Sequence, residues 1–237
     1  EWVTKYMFHY RWYFEEDANN ASTILPLSDL ATNMDDGTLK EVKKMIHDRQ
    51  HGRLWVVGSN DTTAKLIDSS YRRFVKLMDD HLSVSRFLFG EKPSSADFAI
   101  YGQLTQLIGF DPTSRRIASE DSLRLVSWVD VMADLSGHDV NNSNWTSLED
   151  SPPSLKEIMK EFGQMYVPAL LANAKAIMEG DETWETEIDG STWKQKAFPY
   201  QAKCLKWIKE EFNTLSKNDK TRIKTFLEGT GCEAILD

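Results

Sequence analysis

The first fourteen residues, EWVTKYMFHYRWYF, constrain the fold more than any other segment. At helical spacing Trp2, Tyr6, His9 and Tyr13 form one stripe, and Val3, Met7, Tyr10 and Phe14 form an adjacent one. Together they make an apolar face too wide for a helix lying half in water, so the segment belongs inside a larger packing unit. No N-cap residue precedes it and the chain has no initiator methionine, so it reads as a fragment whose upstream part has been removed.

Helical signals continue along the chain. Residues 15–37, EEDANNASTILPLSDLATNMDDG, read as a polar, punctuated connection. Leu39, Val42, Ile46 and Arg49 recur at helical steps in the next segment, and GSND then breaks the pattern with Asp61 as the expected N-cap. In 62–83, Ile67, Tyr71, Phe74, Met78 and His81/Leu82 alternate four- and three-residue steps, as a core-facing helix does. After a stop at Gly109-Phe-Asp-Pro112, residues 119–137 predict a helix whose repeating positions are Leu123, Val126/Ser127, Val131 and Leu135, with Trp128 nearby and Gly137 as stop.

From His138 to Pro153 the chain is polar and loop-like. A helix follows, with a kink or break expected before Pro168. WETEIDGSTWKQKAF then alternates around Asp189-Gly190, a strong hairpin signal, and two more helices close the chain.

A net charge of -9 argues against a nucleic-acid surface, which requires a basic stripe. Eight tryptophans and eleven phenylalanines point to a core rich in large rings. Cys204 and Cys232 have no metal-ligand spacing and read as reduced thiols of a cytosolic protein. There is no signal peptide and no run of eighteen apolar residues. The glycosylation triplets at Asn20, Asn60, Asn141 and Asn144 are therefore expected to stay unmodified.

The segment FLFGEKPSSADFAIYGQL, residues 87–104, carries a helix start. Ser94 and Asp97 stand three apart ahead of an apolar run, as a capping box does, and Pro93 and Phe98 are placed for a hydrophobic staple. This cap, rather than catalysis, is the favoured role for Asp97. Gly90, Pro93, Ser94, Ala96, Asp97, Phe98 and Tyr101 together resemble the signature of the glutathione S-transferase C-terminal domain. The resemblance covers about residues 1–137, and the tail resembles an extension in a poorly characterised bacterial branch of that superfamily.

That resemblance implies an all-α helical bundle, with residues 1–137 as core and 138–237 as a helical extension carrying the hairpin near 185–197, packed as one domain. It implies that Ser94 and Asp97 start the central buried helix. It further implies a glutathione transferase-like protein, conjugating glutathione or carrying out thiol-dependent reduction. Glutathione would be co-substrate of the intact protein through a thioredoxin-like domain, packed against the first helix, that this chain lacks. The co-substrate would be a small hydrophobic electrophile in a pocket lined by the first helix, the start of the central helix and the tail. Tyr6, His9, Tyr10, Arg11 and Tyr13 are then the candidate pocket residues, and this chain alone supplies no catalytic residue. A homodimer, a non-catalytic dimerisation or docking module, and an apolar-ligand-binding protein are the alternatives. A polar-lined cleft reaching Tyr10 and Arg11 favours catalysis; a fully packed first helix favours docking.

Weaker candidates have structural readings. Arg11 can pair with Glu15 on one helix face. His47 and His51 are four apart, but a metal site needs further ligands, and a solvated helix end is the better reading. Cys204, beside Lys203 and Lys206, reads as a small buried apolar residue rather than a reactive thiol. Cys232 reads as a tail residue, and Arg115-Arg116 as a solvated turn.

Overall fold

The computed structural model describes residues 1–137 and 145–236, which form ten α-helices, two 3-10 turns and one β-hairpin. The helices are α1 (Trp2–Tyr13), α2 (Glu15–Asp29), α3 (Asp36–His51), α4 (Ala64–Leu82), α5 (Ser95–Leu107), α6 (Pro112–Asp121) and α7 (Leu123–Ala133). They continue with α8 (Pro153–Glu179), α9 (Pro199–Thr214) and α10 (Lys217–Leu227). The hairpin β1 (Thr183–Ile188) and β2 (Ser191–Lys196) joins α8 to α9, and the 3-10 turns are Leu54–Val57 and Cys232–Ile235. Asn141 and Asn144, and the first half of the polar stretch that begins at His138, lie outside the described residues.

The central helix is α1. It packs against α2, α4, α5, α8 and the first 3-10 turn, and Trp2, Tyr6, Tyr10 and Trp12 are all buried. The resemblance implied that role for α5, but α5 buries only Asp97, Leu104 and Leu107, and Phe98 is half exposed. The reason is ring content: α1 carries rings around most of its circumference, whereas Ala99, Gly102 and Thr105 leave α5 a small-residue face with little to bury. One hydrophobic cluster runs from Trp2 through α4, α7 and α8 to Trp193 on β2, so both halves of the chain share a core.

Local chemistry explains the element starts. Asp189 and Gly190 turn the hairpin with φ of 47° and 73°, and Thr183 pairs with Lys196 through to Ile188 with Ser191. Alternation places Trp184, Ile188, Trp193 and Gln195 inward. Gly58, at φ +73°, faces the Trp193 indole so closely that a Cβ there would lie 2.4 Å from its Nε1. The capping box at α5 is present. The Asp97 carboxylate accepts from Ser94 N–H at 2.8 Å and Ser94 Oγ–H at 2.6 Å, and Asp97 N–H donates to Ser94 Oγ at 3.3 Å. Its other oxygen accepts from Leu88 N–H at 2.9 Å.

Several local expectations are corrected. Residues 15–29 form a helix, not a connection: Glu15, Glu16 and Asp17 sit favourably in its first turn, and Ala18, Ala21 and Ser22 are small enough to pack tightly. Asp61 does not cap α4; the Asn60 side chain accepts from the N–H groups of Thr62 and Thr63, and Asp61 accepts from Tyr13. Residues 119–137 are not one helix, because Ser122 ends α6 and caps α7. The buried face of α7 is Leu125, Trp128, Val129 and Met132, while Leu123 and Val131 are exposed. Pro168 does not end α8, which runs 27 residues through it. Arg115 and Arg116 lie exposed on α6, not in a turn.

Asp97→Ala removes a carboxylate that accepts three hydrogen bonds, one buried and two partly buried, and is expected to cost about 1–3 kcal/mol of stability in chemical denaturation.

Candidate functional site

The five aromatic and charged residues expected at a pocket are committed to the interior instead. Tyr6, His9 and Tyr10 have no exposed surface, and none of the five lines the apolar cavity described below. Tyr6 Oη shares a hydrogen bond with Ser70 Oγ at 2.7 Å, and Ser70 donates to Glu161 at 2.6 Å. Arg73 grips the same carboxylate at 2.7 Å. Tyr10 donates to Asp68 at 2.6 Å, and burial raises both phenols well above their usual range. His9 Nδ1 lies 2.7 Å from Ser59 Oγ, and burial holds the imidazole down to about 4, so it is neutral at pH 7.

Arg11 does not pair with Glu15. It donates to both oxygens of buried Asp111 at 2.8 and 3.0 Å and to Gln106 at 2.8 Å. Burial pushes the Asp111 carboxyl up to about 6 against the pull of this guanidinium. Tyr13 is partly exposed and donates to Asp61 at 3.0 Å.

The cavity lies at the opposite end of α1. It has a volume of about 310 Å³ and is lined by five segments. The start of α1 supplies Glu1, Trp2 and Val3; the loop before α5 supplies Leu88 and Phe89. The first half of α5 contributes Ala96, Ala99, Ile100 and Gln103, while α8 contributes Ile158, Met159, Phe162, Tyr166, Val167 and Leu170. Cys232 and Ile235 of the second 3-10 turn close it. The capping box positions this wall, since Asp97 holds the backbone of Leu88.

The cavity wall offers little reactive chemistry. Its few polar groups are mostly spent: Tyr166 donates to Glu1 at 2.7 Å, Gln201 donates to the same carboxylate, and Trp2 Nε1–H points to Ser70. Cys232 donates its S–H to the Met159 carbonyl at 3.2 Å, and burial pushes the thiol up, away from the reactive thiolate. A partly open apolar cleft of this size with few polar groups suits a small apolar ligand. The α8 sequence signals the cavity: it carries a second apolar stripe, Met159, Phe162, Tyr166 and Leu170, beside its core stripe.

The tail turn is seated by glycine. A Cβ on Gly163 would lie 1.8 Å from the Thr230 carbonyl oxygen, so only glycine lets α8 and the turn approach this closely.

The remaining candidates hold no site. His47 and His51 stack with ring centroids 5.9 Å apart, and His51 bonds the Trp12 carbonyl. Among the described residues no group of three or more His, Cys, Asp or Glu could hold a metal ion. Cys204 is half-buried on α9; Cys232 is a buried wall residue rather than a loose tail position. No helix among the described residues is long and apolar enough to cross a membrane.

One buried cation went unread in the sequence. Lys5 sits between Trp2 and Trp193, 5.7 and 5.6 Å from their ring centroids, and donates to Gln195 Oε1 at 2.9 Å. Burial lowers its pKa to about 8.

Comparison with family models, with curated proteins and with solved structures finds no match for this chain.

Gly163→Ala is expected to unseat the 3-10 turn and open the cavity, read as faster hydrogen exchange at Cys232–Ile235 and about 1–3 kcal/mol lost stability. Lys5→Met is expected to stabilise the fold by about 1–3 kcal/mol at pH 7, because the charged amine is costly to bury. Between about pH 8 and 10.5 the folded amine is neutral while the unfolded one is still protonated, so wild-type stability gains on the variant as pH rises. The thermal-unfolding advantage of Lys5→Met therefore shrinks across that window.

Proposed function

We propose that this chain is the co-substrate-side portion of a glutathione transferase-like protein, and that its apolar cavity receives the hydrophobic part of the acceptor. The observation that carries this is the make-up of the cavity wall. The start of the first helix, the start of the helix capped by Ser94 and Asp97, and the tail meet there. These are the three segments that the resemblance assigns to the co-substrate pocket. The acceptor would touch Trp2, Phe89, Phe162 and Tyr166, with Tyr6, His9, Tyr10 and Arg11 behind the wall as structural supports.

The wall holds no activated nucleophile, since Cys232 is kept as a thiol and Tyr166 is tied to Glu1. In this reading thiol activation comes from glutathione bound elsewhere in the intact protein, and this portion orients the acceptor and excludes water.

A second reading, a docking module, has one observation in its favour. Helix α1 is packed shut, and no cleft reaches Tyr10 or Arg11.

The test uses calorimetric titration and conjugation assays. The 237-residue chain is expected to bind an aryl halide at micromolar to millimolar levels and to show no glutathione conjugation. The product of the complete reading frame is expected to conjugate the same compound. Binding without any glutathione-dependent turnover by that product sinks the transferase reading and leaves a carrier. No binding at all leaves the docking module.

A further inference from the structure

The cavity wall contains one polar side chain whose needs are unmet. Gln103 reaches it from α5, and its Oε1 is buried with no hydrogen-bond partner among the described residues. The other polar side chains of the wall with strong hydrogen-bonding groups are engaged: Trp2 with Ser70, Glu1 with Gln201 and Tyr166. A buried, unsatisfied amide carbonyl is costly, and native interiors rarely keep one without a reason. The wall also contains no lysine, arginine or histidine side chain, and its one carboxylate is that of Glu1.

These facts define a ligand chemistry. The cation nearest an anionic ligand is the Glu1 α-ammonium, whose charged form burial disfavours and which stands beside the Glu1 carboxylate; with no side-chain cation in the wall, an anion would lose its hydration with little in return. An aromatic body finds rings on three sides, from Trp2, Phe89 and Phe162, with the Met159 thioether beside them. A single O–H or N–H on that body would find one free acceptor. Among the described residues no hydrogen bond holds the Gln103 side chain, so a ligand that engages its amide breaks none.

We propose that the cavity selects a neutral aromatic compound bearing one hydrogen-bond donor, and that Gln103 is the residue that recognises the donor. This rests on the cavity being a ligand site, as proposed above, and narrows the acceptor to a neutral electrophilic aromatic that also carries one O–H or N–H, a recognition that non-reacting phenols can probe. Carboxylates of the same skeleton are excluded.

The test is a matched series, naphthol, methoxynaphthalene and naphthoate, titrated calorimetrically into the chain and into Gln103→Leu. Naphthol is expected to bind about fivefold more tightly than methoxynaphthalene, which keeps the rings and loses the donor. Naphthoate is expected to bind at least about a hundredfold more weakly than naphthol. In Gln103→Leu the preference for naphthol over methoxynaphthalene disappears, while methoxynaphthalene binding stays within about twofold. Thermal unfolding of Gln103→Leu is expected at or above wild type, because the substitution removes an unsatisfied group; Gln103→Met serves equally if leucine packs poorly. If Gln103→Leu keeps the preference, or naphthoate binds as well as naphthol, the inference about Gln103 is overturned while the cavity remains a ligand site. If no member of the series binds, the ligand-site reading itself falls, and this inference with it.

Discussion

Everything in this fold follows from the need to enclose one helix. α1 presents rings on most of its circumference, and no single neighbour can cover them. The chain meets this by wrapping: α4 and α5 on one side, α2 and the first 3-10 turn on another, and α8 and the hairpin from far along the sequence. The contact of Trp2 with Trp193, 5.3 Å between ring centroids, completes the enclosure. Burial of large rings is the strongest local driving force available, so elements of weak intrinsic preference, such as α2 with its internal Pro26, are held in place by what they cover.

The wrapping also decides where polar chemistry can occur. Rings with hydroxyls, a histidine and an arginine on an enclosed helix must find partners inside. Ser70, Glu161, Asp68, Ser59 and Asp111 meet those needs except at His9 Nε2, which is buried with no partner among the described residues, so the side chains that look most reactive in the sequence are largely occupied in the fold. The cavity forms where the ring-bearing face of α1 runs out, at Trp2 and Val3, and α8 supplies a second apolar face with nothing large opposite it.

The sequence showed what short-range physics determines. The capping box at Ser94 and Asp97, the Asp189-Gly190 turn and the core stripe of α4 depend on residues a few positions apart, and they were legible. The α2 helix was not, because its stabilisation comes from Ala18 and Ala21 packing on a distant surface rather than from propensity. The buried face of α7 was misjudged because Ser122 starts a new helix and shifts the phase of the repeat. The cavity was only half visible: the segments that meet there were foreseeable, but the side chains were not. Which rings of α1 point at solvent, partner or core depends on long-range packing that a one-dimensional period does not encode.

The pairing of Lys5 with Gln195 has a consequence for how this chain is made. The partners are 190 residues apart, so the ring-rich segment leaves the ribosome well before its last cover. Until that cover emerges α1 has rings in water, and the entropy of closing so long a loop delays its burial further. Such a segment invites association with other apolar surfaces until the hairpin arrives. The order of elements in this fold therefore makes late covering of the ring-rich helix a property of its topology rather than of its final stability.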